Sequence, residues 1–104
     1  IYMESQGYPP VINDKELVDI VKFNSERLLG KDTYKEKAYP SMGAEDFSFY
    51  TENCKVVFFH LGCGNDEKGI NSLIHTDTFD IDEDCLVIGT SIHVLNVIYF
   101  NEKE

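Results

Sequence analysis

Basic side chains are scarce: nine Lys and Arg stand against nineteen Asp and Glu, a formal net charge of −10. Such a chain repels phosphate backbones and anionic headgroups, which argues against nucleic-acid and membrane-surface binding and leaves small molecules, cations and proteins as partners. Long apolar runs are also missing. None exceeds Val56 to Phe59, which is strand-sized; measured against the ~18 to 20 uninterrupted apolar residues that cross a bilayer, this excludes a transmembrane role. The first eight residues carry neither the basic stretch nor the apolar core of a secretion signal. The three cysteines, Cys54, Cys63 and Cys85, form no Cys-x-x-Cys pair and are odd in number. A disulfide framework would leave one over, so free thiols in a reducing cytoplasm are expected. There is no Gly-rich nucleotide loop, internal repeat or low-complexity tract.

What is present is ordinary globular composition, 42% apolar and 27% charged over 104 residues, enough for one small core but short of many complete active sites. The chain opens on Ile1 rather than methionine and reads as cut from something longer.

Pro9 and Pro10 forbid helix over residues 7–11, marking a linker or strand exit. Asn13 to Glu16 then has the pattern of a capping box. Leu17, Val18, Val21, Ser25 and Leu28 share one side at helical spacing, and Gly30 suits a left-handed cap, so a helix is predicted over about residues 14–29. A short extended piece is expected over Lys35 to Tyr39, and Gly43 followed by Glu45 and Asp46 predicts a loop turning into a short helix. Val56 to Leu61, rich in β-branched and aromatic residues and closed by Gly62 and Gly64, reads as a strand buried on both faces of an α/β fold. Residues 62–80 form a loop long enough to be functional. A capping-box pattern from Asp80 to Glu83, with apolar or small residues at 85, 88, 89, 92, 95 and 99, predicts a long, mostly buried final helix whose Gly89 admits a close neighbour.

Of the three histidines, His93 reads as a helix residue and His60 as a hydrogen-bonded core side chain. His75 differs. It stands in the long loop between the apolar pair Leu73 and Ile74 and the polar Thr76 and Asp77, where an imidazole could serve as a metal ligand or catalyst. Backbone amides around Gly43 could receive an anion at the start of the short helix. Asp80, Asp82, Glu83 and Asp84 lack the spacing of a calcium loop and read as helix-start charges.

The order of four segments is more specific. Gly7-Tyr8-Pro9-Pro10-Val11-Ile12-Asn13-Asp14, Ser41-Met42-Gly43-Ala44-Glu45-Asp46-Phe47, Phe58-Phe59-His60-Leu61-Gly62-Cys63-Gly64-Asn65 and Leu73-Ile74-His75-Thr76-Asp77-Thr78-Phe79-Asp80 together resemble the C-terminal part of the dinuclear-metal amidohydrolases. That family includes hippurate hydrolases, aminoacylases, N-acetyldiaminopimelate deacetylases, indoleacetyl-amino-acid hydrolases and related carboxypeptidases. The resemblance implies an α/β fold, the C-terminal portion of a metallopeptidase-like catalytic domain incomplete without its N-terminal half. Residues 1–10 would be the exit from a lid domain and its linker, and residues 11–104 the returning catalytic part.

It further implies that His75 is a metal ligand and that Gly43, Ala44 and Glu45 contact substrate, with amides of Gly43 and Ala44 holding its carboxylate. Two divalent ions (zinc, manganese or cobalt) would serve the parent, the general-base glutamate and the other ligands lying upstream. Substrates would be N-acyl amino acids or small peptides. A homodimer is the assembly open to the parent, while the isolated chain would be inactive, lose its metals and self-associate through uncovered apolar surface. Where the family often has prolines and serine around the histidine, this chain has Ser72, Thr76 and Asp77, which could loosen the loop. Asp77 and Asp80 are the nearest acids able to orient the imidazole. Two other readings compete: a non-catalytic binding or assembly module that keeps the fold, and a single-histidine metal sensor.

Overall fold

Pro9 and Pro10 deliver the chain to Asn13 and Asp14, and these two residues organise the first half of the protein. The computed structural model describes residues 7–103; the expected lid remnant over Ile1 to Gln6 lies outside them. The chain forms two compact units divided between Phe58 and Phe59.

In the first unit, the Asp14 carboxylate accepts the Leu17 N–H at 3.2 Å and caps helix α1, Lys15–Leu29. The capping residue is therefore one position later than the capping-box pattern suggests. Asn13 is committed elsewhere: its amide donates to the Phe58 carbonyl at 3.1 Å and accepts the Phe58 N–H at 2.8 Å. The Asp14 N–H donates to the Val56 carbonyl at 2.8 Å. Glu16 lies 3.9 Å from the Lys55 ammonium. Helix α1 buries Ile20, Val21, Asn24 and Ser25, with Leu17 and Val18 half-buried. Leu28, placed on that face by spacing, is 40% exposed. Gly30 ends the helix at φ 98°, ψ 172°, a region only glycine enters easily, rather than in the left-handed cap expected of it.

The α/β expectation needs correction. Among the described residues no β-ladder forms, and the one isolated bridge joins Asn65 to Ile70. Val56 to Leu61 has no regular secondary structure. A strand is defined by its neighbours; residues 56–58 find theirs in one side-chain amide and one backbone N–H of the Asn13–Asp14 corner. Nor is the run covered on both faces. Val56 is buried, but Phe59 and Leu61 are half-buried while His60 and Gly62 are exposed, so His60 is not the core side chain expected. Residues 35–39 likewise form no element. The predicted short helix does form, as a 3-10 turn over Asp46–Glu52.

In the second unit, helix α2 runs over Asp84–Glu102. Its start lies beyond the Asp80–Glu83 pattern: Glu83 is the N-cap but makes no side-chain capping bond, and the Asp82 carboxylate, one residue earlier, accepts the Asp84 N–H at 3.1 Å. Positions 85, 88, 89, 92, 95 and 99 are buried or half-buried, as their spacing predicts. The Phe59 ring meets the His93 ring, tilted by 39° with centroids 5.4 Å apart, and Leu61 packs so tightly on Gly89 that a Cβ there would lie 3.0 Å from its Cδ2. The rest of α2 is not buried. Leu86, Val87, Val94, Val97, Ile98 and Phe100 are 42–72% exposed, because this chain covers only one side of a helix that is apolar all round. By length and composition α2 is also long and apolar enough to cross a membrane, a property that the run-length criterion missed.

Replacing Asn13 by Ala removes both bonds to Phe58, and is expected to cost about 1–3 kcal/mol in urea unfolding. Asp14→Ala removes the cap and should cost about 1 kcal/mol.

Candidate functional site

The loop bearing His75 is assembled from two small turns. In the first, Asn65 and Ile70 exchange backbone hydrogen bonds of 2.7 and 2.9 Å around the 3-10 turn Asp66–Lys68. The Asn65 side-chain oxygen accepts the Glu67 and Lys68 N–H groups, and Gly69 takes the left-handed conformation that closes the turn. Asp82 anchors this turn to the start of α2: its carboxylate accepts the Asn65 amide at 2.7 Å and lies 3.3 Å from the Lys68 ammonium.

The second turn carries the imidazole. The Thr76 hydroxyl donates to the Leu73 carbonyl at 2.6 Å, the Thr78 hydroxyl to Ser72 Oγ at 2.8 Å, and the Phe79 N–H to the Thr76 carbonyl at 3.2 Å. Ser72 and Thr76, two positions expected to loosen the loop, instead bind it together. His75 has φ +66°, in the small left-handed region where a residue with a Cβ is uncommon. The conformation holds an exposed imidazole at the tip of a hydrogen-bonded turn, between the exposed Leu73 and Ile74 on one side and Thr76 on the other. Neither expected orienting acid bonds to it: among the described residues, the Asp80 carboxylate accepts the Ile81 N–H at 2.8 Å, and Asp77 makes no hydrogen bond to His75.

The described residues contain no group of three or more His, Cys, Asp or Glu side chains able to hold a metal. His75 fits as one donor of a ligand set whose other members would have to come from elsewhere.

Gly43, Ala44 and Glu45 belong to the first unit. Gly43 and Ala44 lie on an exposed loop, while Glu45 turns its carboxylate onto the Phe47 N–H at 3.1 Å and caps Asp46–Glu52. The anion expected at this turn is thus, at the Phe47 amide, the protein's own. An open hollow of about 470 Å³ is lined by Glu45, Asp46, Phe47, Phe49, Tyr50 and Phe58. Phe47 contacts Phe58 and Tyr50 at centroid distances of 5.2 and 5.4 Å, and Tyr8 meets Phe49 edge-on at 5.4 Å. Ser48, between Phe47 and Phe49 in the turn, is fully buried, and its hydroxyl has no partner among the described residues. The sequence reading missed the part played by Asp82; Asn65 followed by Gly69 was the available signal for the turn it anchors.

The profile of peptidase family M20/M25/M40 matches residues 1–97. The chain belongs to that family. It is 37% identical over 105 residues to the IAA-amino acid hydrolase ILR1-like 6 of Arabidopsis thaliana, covering 98% of this chain and 22% of that protein. It is 38% identical over 96 residues to the Arabidopsis IAA-amino acid hydrolase ILR1-like 2, covering 91% of this chain and 21% of that protein. With the thermostable carboxypeptidase 2 of Saccharolobus solfataricus it shares 33% identity over 96 residues, 92% of this chain and 23% of that protein. The chain thus spans little more than a fifth of the length of these relatives. No solved structure matches.

The Asn65 amide above all, then the Asp84 N–H and the Lys68 ammonium, hold the Asp82 carboxyl below the ordinary carboxylate value against the opposing effect of its burial. A depressed folded-state pKa adds stability that is present at neutral pH and lost as pH falls through that lowered value. Asp82→Asn should therefore lower the thermal midpoint at pH 7. The gap from the parent protein should narrow on acidification, as read by circular dichroism melts across pH.

Proposed function

We propose that this chain is the C-terminal part of a metal-dependent hydrolase that cleaves the amide bond of N-acyl amino acids or small peptides. Family membership supports the reading, and the observation that carries it is the left-handed His75. A turn closed by two hydroxyls keeps the imidazole in an uncommon backbone conformation, and such conformations persist where the surrounding structure fixes them for function. The names of the relatives, hydrolases of indoleacetyl conjugates and carboxypeptidases, point to substrates that release a free amino acid.

In this reading His75 would donate one ring nitrogen to a pair of divalent ions, zinc, manganese or cobalt, with the remaining ligands and the general-base glutamate supplied outside these residues. When bound, such ions supply Lewis acidity towards the scissile carbonyl and lower the pKa of a bound water. The chain's own residues position and enclose. Thr76 and Thr78 keep the His75 turn closed, and Asp82 ties the preceding turn to α2. Amides of Gly43 and Ala44 receive the substrate's carboxylate, with Glu45 stiffening their loop by capping the turn behind it. We assign the parent to the cytoplasm and, as its assembly, a homodimer.

His75→Ala in the full-length protein should remove one of two metal equivalents by elemental analysis and reduce turnover by more than ~100-fold; an unchanged metal content would refute the ligand role. The isolated 104-residue chain should be inactive and should associate through the open face of α2. Light scattering should then give a mass above the 11.9 kDa of one chain, and a monodisperse monomer at high concentration would count against that association.

A further inference from the structure

Phe59 and Leu61, at alternate positions, meet two residues of α2 spaced by four. Phe59 contacts the His93 ring and Leu61 sits against Gly89. Residues 59, 61 and 63 are half-buried while 60, 62 and 64 are exposed, the alternation of an extended chain with one side on the helix. Two residues of extended chain advance about 6.6 Å and four residues of helix about 6 Å, so the register stays in step for one further rung. That rung brings Cys63 opposite Cys85, the buried cysteine in the first turn of α2. The backbone independently fixes the same approach: the Asp82 N–H donates to the Cys63 carbonyl at 2.7 Å, and the Cys85 N–H to the Asp82 carbonyl at 3.0 Å.

From this register we propose that Cys63 and Cys85 form a reversible disulfide that clips together the two ends of the loop carrying His75. Both thiols are free in the structure. Burial raises the Cys85 thiol above its ordinary value, and the neighbouring Cys63 raises it further; Cys63, more exposed, is the better first nucleophile. With a small-molecule disulfide as oxidant, the Cys63 thiolate attacks one sulfur of the reagent and expels the other half as a thiolate. Cys85 then loses its proton to solvent, and its sulfur attacks Cys63 Sγ and expels the second half. Two protein thiols are oxidised to one disulfide, and one reagent disulfide is reduced to two thiols. Cys54 lies outside this register, exposed in the first unit. The pairing does not require His75 to hold a metal.

The test is oxidation of the full-length protein with oxidised glutathione, quenching with an alkylating agent, and peptide mapping. Trypsin cuts after Lys55, Lys68 and Lys103, placing Cys63 in peptide 56–68 and Cys85 in peptide 69–103. The expected product is these two peptides joined by a bond that a reductant cleaves, formed within one chain and to a lower extent when the same reaction is run in urea. Cys54→Ser should leave the yield unchanged, whereas Cys63→Ser and Cys85→Ser should each abolish the joined pair. Glutathione adducts on Cys63 without the joined pair, a bond between two chains, or a yield unaffected by urea would each overturn the proposal.

Discussion

A strand-like run without a neighbouring strand must find other hydrogen-bond partners, and in the first half of this protein one side chain supplies them. The Asn13 amide presents a donor and an acceptor to the N–H and carbonyl of Phe58, the same pair of groups a neighbouring strand would present. Because Asn13 is held in this way, Asp14 is left to cap α1, and the chain entering from the two prolines is fixed beside Val56. The cap, the helix that follows and the aromatic hollow around Phe58 all depend on this pairing of an amide with a peptide unit forty-five residues away.

The second unit solves a different problem. Helix α2 is apolar all round, yet one side of it meets the extended residues 59–63 and the other remains in solvent. The covered side is closely fitted: a glycine admits Leu61, and a histidine ring meets that of Phe59. Asp82 joins this packing to the loop that carries His75, since the same carboxylate accepts the Asp84 N–H at the start of α2, receives Asn65 and faces Lys68. Packing, the start of α2 and loop shape in this unit are therefore coupled through one acidic side chain.

Much of this was legible in the sequence where one local signal decided the outcome. The helical spacing of 85, 88, 89, 92, 95 and 99 located the covered side of α2, and Gly89 marked the close contact. The ends of both helices were less legible because several residues could cap, and which one does depends on distant partners: Asn13 is drawn off by Phe58, and Asp82 serves both helix and turn. The run from Val56 to Leu61 misled most. Its composition suits a strand, but strand formation needs a paired neighbour, and no composition reveals where that neighbour comes from. At the site, the position of His75 in a loop could be read, but its backbone conformation could not. Ser72 and Thr76 looked permissive as residue types, whereas their hydroxyls close the turn.

The positive φ at His75 ties the handedness of the turn to the direction of its side chain. An L-residue bears the steric cost there because its Cβ crowds the backbone. The mirror-image amino acid would settle into the same dihedral comfortably but would point its imidazole along a different line. Glycine would relax the turn equally well and offer no nitrogen at all. Backbone ease and ligand direction cannot both be optimised at this position, so the hydroxyls of Thr76 and Thr78 serve as the counterweight that keeps an uncomfortable stereocentre in place.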